Sequence, residues 1–385
     1  MATFSKFRGI NNQDAASAMK PDDLAACVNF VVDDGGQLFT RPGLDQTWAG
    51  AAHSIVEFDG QIYFRTGTSL MRLGPTSVAV DSLLGTGATC YAKALGALLY
   101  SDGQSCRMLE RGASASWGIT QPSFSAVGTE LDASKHTHKA LVTVTYMRGR
   151  YESGASTPVE IGCTASGASA TVTVPDSAQA THKAIYMSMP GGETMRLAAV
   201  IQNGQTSATV TATASGPELQ TLHKTPPPPH ALSAVRNGRA LVAVDNFILY
   251  SDPFKFDLFD PIRQSIPFPA TVTMLAEVSP DALIVGTTAG VYRLSGADMD
   301  SVSIIKLSDL GVPLGAYATV DASLFSQGQG LAVVFASAGG FCLVGQDGGV
   351  TNLTGDRYRP GPFMAGSSAF SRQPGNHSVV FSLRH

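Results

Sequence analysis

His136 and His138 stand two residues apart in "KHTHK" (135 to 139), and two imidazoles on one face of a strand can share a metal ion. No third histidine or carboxylate follows closely, so a solvent-facing strand start stands beside the metal reading. "YSDGQS" (100 to 105) lacks the aromatic end of a sialidase Asp-box, and no paired carboxylates suited to glycoside hydrolysis stand out. "DMDS" (298 to 301) has neither the glycine nor the distal glutamate of a calcium loop. "SAGGF" (337 to 341) leads into a strand rather than the helix a phosphate loop needs, and there is no Gly-x-Ser-x-Gly elbow. Cys27, Cys90, Cys106, Cys163 and Cys342 are odd in number and scattered, without a Cys-x-x-Cys pair, and read as small buried hydrophobes. The expectation is a non-catalytic protein with no cofactor and no metal.

The elements carrying these residues are strands. Of 385 residues, 44% are hydrophobic and 15% charged, too apolar for a solvated tail, yet no apolar run reaches the roughly 20 residues of a membrane helix. The start, "MATFSKFRGINNQD", has no apolar region behind Lys6 and Arg8, which predicts a soluble protein made in a cytoplasm, without membrane insertion. Basic residues number 26 against 30 acidic, a net charge of −4 with no basic stripe of the kind a nucleic-acid reader carries. Forty glycines, 21 prolines and abundant Val, Thr and Ala, with almost no helical periodicity, predict an all-β protein with many tight turns. Only residues 13 to 27 suggest a helical turn or two, limited by Pro21.

A strand–turn–strand unit recurs at residues 53–73, 88–109, 230–252, 272–294, 318–345 and 366–385. Its inner strands are apolar at both parities, as in Leu241 to Val244, Leu283 to Val285 and Leu331 to Phe335. Strands apolar on both faces are covered on both faces, which stacked blades require. The pattern predicts a β-propeller of about six blades. Residues 118 to 224 differ: Val142, Val144 and Tyr146 alternate with threonines, as do Val172 and Val174, so one face is wet. That predicts an inserted immunoglobulin-like or fibronectin type III-like β-sandwich, without an immunoglobulin disulfide because Cys163 is its one cysteine. Pro226 to Pro229 form a stiff connector back. The expected organisation is therefore 1–117 (N-terminal arm and first blades), 118–224 (sandwich) and 225–385 (remaining blades).

Propellers close by pairing strands from the two chain ends. "HSVVFSL" (377 to 383) lacks outer strands that "CVNFVV" (27 to 32) and "GQLFTR" (36 to 41) could supply, with Arg41, Pro42 and Gly43 as the stop and turn; an ordinary edge hairpin is the alternative.

The N-terminal stretch carries a further pattern: Phe7, Gly9, Ile10 and Asn11, then Pro21 and Leu24, then Asn29, Gly36, Leu38, Arg41, Pro42 and Gly43. It resembles the opening of the tail nozzle (tail hub) proteins of short-tailed bacteriophages, and "ALVTVTYMRGRYESGASTPVEI" (140 to 161) looks like the sandwich insertion of such proteins. The resemblance covers the first forty residues and the insertion; the blades follow it only by pattern. It implies a structural virion protein: a ring, typically a homo-hexamer, below the tail adaptor, contacting other tail proteins or fibres. Its channel retains double-stranded DNA and passes it at ejection without sequence-specific binding. A near-neutral chain is compatible with a conduit, since many cationic phosphate contacts would hold the DNA. Phe4, Phe7, Arg8, Gly9, Ile10 and Asn11 are the arm residues expected to dock on a neighbouring subunit or the adaptor, with an arm folded on its own chain as the alternative.

In "YSDPFKFDLFDPIRQSIPF" (250 to 268), Phe254, Phe256 and Phe259 could form a subunit contact, or an exposed patch of a host-surface or glycan-binding propeller. Packing of a long loop against the core is the third reading.

Overall fold

A computed structural model describes residues 7–28, 30–32, 36–40, 45–82, 84–130, 133–325, 329–373 and 376–384. Phe4, Arg41, Pro42 and Gly43 lie outside them. The fold is all-β, of the β-propeller class with an inserted sandwich. Helical structure among the described residues is confined to three short 3-10 turns, and no helix is long and apolar enough to cross a membrane. Residues 13 to 27 contain a hydrogen-bonded turn at Ala15 to Met19 and no helix. Asn11 Oδ1 accepts the amides of Gln13 and Asp14, fixing a local turn that competes with helix propagation.

Six antiparallel sheets coincide with the six recurring units. The first blade contains His53–Phe58, Gln61–Thr66, Ser69–Arg72 and Val78–Asp81; the second Cys90–Ala94, Ala97–Ser101, Cys106–Glu110 and Ala113–Ser116. The third contains Leu232–Arg236, Arg239–Val244, Phe247–Asp252 and Lys255–Phe259, with Ser265–Pro267 paired to Phe247–Asp252. The fourth contains Val272–Ser279, Ala282–Thr287, Gly290–Ser295 and Ser303–Ser308; the fifth Tyr317–Asp321, Leu331–Ser337, Gly340–Val344 and Val350–Asn352. The sixth is the hairpin Ala365–Gln373 with Asn376–Arg384. The chain divides into two compact units: His53–Val242 with Leu249–Ile266, and Met1–Ala52 with Ala243–Ile248 and Pro267–His385.

In the unit built on His53–Val242, Leu98, Tyr100 and Leu109 of the second blade pack against Tyr63 and Leu70 of the first. On the other face, Ser101 Oγ donates to His230 O at 2.8 Å beside the third blade. Arg65 is fully buried and, among the described residues, has no acidic partner, its guanidinium donating to the Ser69, Gly67 and Gly85 carbonyls and to Thr89 Oγ1. A buried cation is tolerable when its donors are this well satisfied.

The sandwich stacks Ser125–Gly128, Ser169–Thr173 and Ser207–Thr211 against a second sheet of Tyr151–Glu152, His138–Arg148, His182–Ser188 and Met195–Gln202, with Val159–Cys163 also on His138–Arg148. Val142, Val144, Val172, Val174, Ile185 and Val210 meet in its core. Lys183 is buried there too, donating to Val174 O, Gln205 O and Asp176 Oδ1, so all three of its protons are used. The way in and the way out of the insertion touch: Gln121 Nε2 donates to Lys224 O at 2.7 Å. A side chain at Gly118 would collide with Pro226, and its φ of +88° independently favours glycine.

In the other unit the fifth blade shows why both parities are apolar. Val333, Phe335, Cys342 and Val344 pack against Met274, Ala276 and Ile284 of the fourth blade, while Ala332, Val334 and Leu343 are covered by Phe370, Val379 and Phe381 of the sixth. The expected end-to-end closure is not what pairs here. Phe30–Val32 pairs with Leu38–Thr40 as a separate two-stranded sheet, and among the described residues the sixth blade has no third strand. Cover for the fifth blade thus comes from face packing by the terminal hairpin.

Candidate functional site

The arm is stitched to its own chain. Phe7 N donates to Gly36 O at 2.7 Å, Arg8 N to Asp22 O at 2.8 Å, and Ile10 bridges Leu24 in parallel. Gly9, at a φ of +101°, lets the chain turn between those two contacts. Asn11 is buried, its amide donating to Asp14 and Asp23. Arg357 Nη1 reaches Arg8 O at 2.8 Å, and Asn12 exchanges hydrogen bonds with the Arg359 backbone. Asn11 therefore serves the local fold rather than a partner. Phe7 is half-buried and Ile10 exposed.

The apolar surface in this part of the chain lies on residues that the motif did not single out. Val28 is 73% exposed, Phe30 49% and Phe39 51%. Phe30 sits opposite Thr40 and Phe39 opposite Val31, so alternation puts the two rings on opposite faces of the hairpin. A two-stranded hairpin is marginal in water by itself, and one with a phenylalanine exposed on each face gains most from being covered. The signal was in the sequence, in "VNF" and "QLF", but those residues fit strand closure equally well.

Phe254, Phe256 and Phe259, in the other unit, do not form a surface patch. Phe256 and Phe259 are buried; only Phe254 is exposed, at the turn before Lys255–Phe259. Phe254 N donates to Gly238 O, and its ring lies over that glycine. Phe259 exchanges backbone hydrogen bonds with Thr225, and Trp117 meets its ring edge-on at 6.4 Å while donating Nε1–H to Phe256 O at 2.8 Å. These two phenylalanines anchor the base of the sandwich, which is the core-packing reading of the segment.

His136 precedes its neighbouring strand rather than sharing it, since that strand starts at His138. The His136 ring lies on Gly162, with Nε2 at 2.7 Å from Glu130 O, and His138 Nδ1 is 3.0 Å from Thr137 Oγ1. Among the described residues no three His, Cys, Asp or Glu side chains converge. All five thiols are unpaired, with Cys163 and Cys342 buried and the others half-exposed, a correction to the reading of five buried side chains. Although both residues keep some surface, the Cys90 and Cys106 sulfurs sit against the His230 and Pro228 carbonyls, and desolvation there pushes the Cys90 thiol up to about 11 and Cys106 to about 12, away from nucleophilic character.

No protein-family profile and no curated protein matches the chain. Among solved structures it is similar to a streptogramin B lyase, at 11% identity over 89% of this chain and 96% of that one, with a TM-score of 0.35. It is also similar to YCF48 from Cyanidioschyzon merolae, at 8% identity over 86% and 95%, with a TM-score of 0.32. Likeness this distant carries no argument about activity.

Proposed function

We infer that the chain is a non-catalytic structural protein of a short-tailed bacteriophage virion, a nozzle subunit that assembles into a ring below the tail adaptor. The ring retains packaged DNA and forms the channel through which it leaves. The observation that carries this reading is the N-terminal segment: the residues that resemble a nozzle opening lead into a hairpin with Phe30 and Phe39 exposed on opposite faces. Assembly would cover both rings. The arm itself is already tied to Arg357 and Arg359, so the hairpin, rather than Phe7, is the apolar group left for a neighbour.

The partners of this reading are further copies of the chain, the adaptor, and other tail proteins or fibres. Duplex DNA passes through without sequence-specific binding. The test is imaging of purified particles with a gold label on this chain. Label confined to the tail below the adaptor, in a ring with the symmetry of the adjoining tail, supports the reading. Label absent from particles, or found only on distal fibres, contradicts it.

A further inference from the structure

Two hairpin turns in the unit built on His53–Val242 face each other across an open cleft of about 520 Å³. One joins Cys106–Glu110 to Ala113–Ser116 through Arg111 and Gly112, whose φ values of +50° and +80° suit a two-residue turn with left-handed residues at both central positions. The other joins His138–Arg148 to Tyr151–Glu152 through Gly149 and Arg150. The turns place Arg111, Arg148 and Arg150 around one space in a chain whose net charge is −4.

The three guanidiniums are held differently. Arg148 Nη2 donates to Ser116 O at 2.9 Å and lies over the Tyr151 ring. Arg150 pairs with Glu110 at 2.9 Å and also lies over that ring, while Tyr151 OH donates to the other Glu110 oxygen at 3.1 Å. Among the described residues Arg111 has no hydrogen bond or ion pair, and it is exposed at the rim. Behind the cleft a small cavity shares Met108, Arg150 and Tyr151 with it and is closed by the buried Asp257, whose Oδ2 has no hydrogen-bond partner.

We propose that this cleft binds a carboxylate-bearing sugar, one uronic acid residue of an acidic glycan. The guanidinium fork matches a planar carboxylate, and an unengaged Arg111 beside the Arg148 and Arg150 pair supplies it. A carboxylate can accept about four hydrogen bonds, so Glu110 keeps acceptor capacity for sugar hydroxyls after serving Arg150 and Tyr151. Met108, Ala113 and Ala115 give an apolar wall for the C–H face of the ring. The volume suits one small ligand. A nucleic-acid backbone is a poorer match: it wants cations spread along a track, whereas these three are gathered around one space. This site is independent of the nozzle reading and stands or falls without it.

The test is titration calorimetry of the intact protein at low salt, where exposed charge contacts are least screened, with glucuronate, glucose and inorganic phosphate as probes. Glucuronate should bind saturably, glucose at least about tenfold more weakly, and Arg111→Ala should weaken glucuronate by a factor on the order of ten, each tenfold being about 1.4 kcal/mol. Arg150→Ala should do the same. If it also lowers the melting temperature by freeing Glu110, Arg111→Ala decides, because that side chain supports nothing else. No saturable glucuronate heat, equal affinity in Arg111→Ala, or phosphate binding as tightly as glucuronate would each overturn the assignment; the last would mark a general oxyanion site.

Discussion

Burial pulls His230 and Asp257 in opposite directions. Desolvation lowers the His230 imidazole to about 4 and raises the Asp257 carboxyl to about 6, the latter partly offset by the Arg148, Lys255 and Arg150 charges. Between pH 6.5 and 4 the unfolded chain protonates His230 while the folded chain does not, so stability falls as pH drops, by on the order of 3 kcal/mol in full. Over a similar window folded Asp257 takes a proton that the unfolded carboxylate does not, so stability rises by a comparable amount. In the parent the two contributions nearly cancel. Asp257→Asn should therefore melt higher at pH 7 and lose that advantage by pH 4.5. His230→Asn, which keeps a donor for Pro228 O, should gain relative to the parent over the same interval. Thermal melts of the three proteins at the two pH values check this, and unchanged differences would contradict it. Trp117, buried and bonded to Phe256 O, tests the sandwich anchor. Trp117→Ala should cost about 3 to 5 kcal/mol in chemical denaturation, and a cost below about 1 kcal/mol would remove its anchoring role.

At the scale of elements the inner strands were legible because burial on two faces leaves a two-parity apolar signature, as at Leu331 to Phe335. The outer strands were less so: Ser303–Ser308 is largely exposed, with Ile304 and Ile305 both open to solvent, and carries no single-face pattern. Closure through the N-terminal hairpin was misread because pairing potential is the same whether a strand joins a blade or its own hairpin. Phe256 and Phe259 were ambiguous because sequence cannot show Trp117, about 140 residues earlier, reaching their backbone and ring. Two outcomes follow from the packing. Phe381→Ala, which strips cover from Val334 and a ring contact of 4.9 Å with Phe341, should lower stability by about 2 kcal/mol; a change within about 0.5 kcal/mol in denaturant melts would show that the terminal hairpin is not that cover. Replacing residues 122 to 223 by a short linker should leave a soluble β-rich protein, because Gln121 and Lys224 already touch. Aggregation of the whole preparation, seen by size exclusion, would contradict that independence.

For the whole molecule, the proposed nozzle role rests on the N-terminal hairpin, whose Phe30 and Phe39 are exposed on opposite faces. The arm's polar contacts are satisfied internally, through Asn11, Arg357 and Asn12, so the proposed assembly assigns docking to Phe30 and Phe39. An interface typically draws most of its energy from a few such buried aromatics. The decisive measurement is the amount of this chain in purified particles when the Phe30→Asp/Phe39→Asp protein replaces the parent. The double variant should melt as the parent does, since both side chains are about half exposed, yet be missing from particles, leaving heads that lose their DNA. Normal incorporation with DNA retained would contradict the hairpin as the assembly surface and the nozzle function built on it.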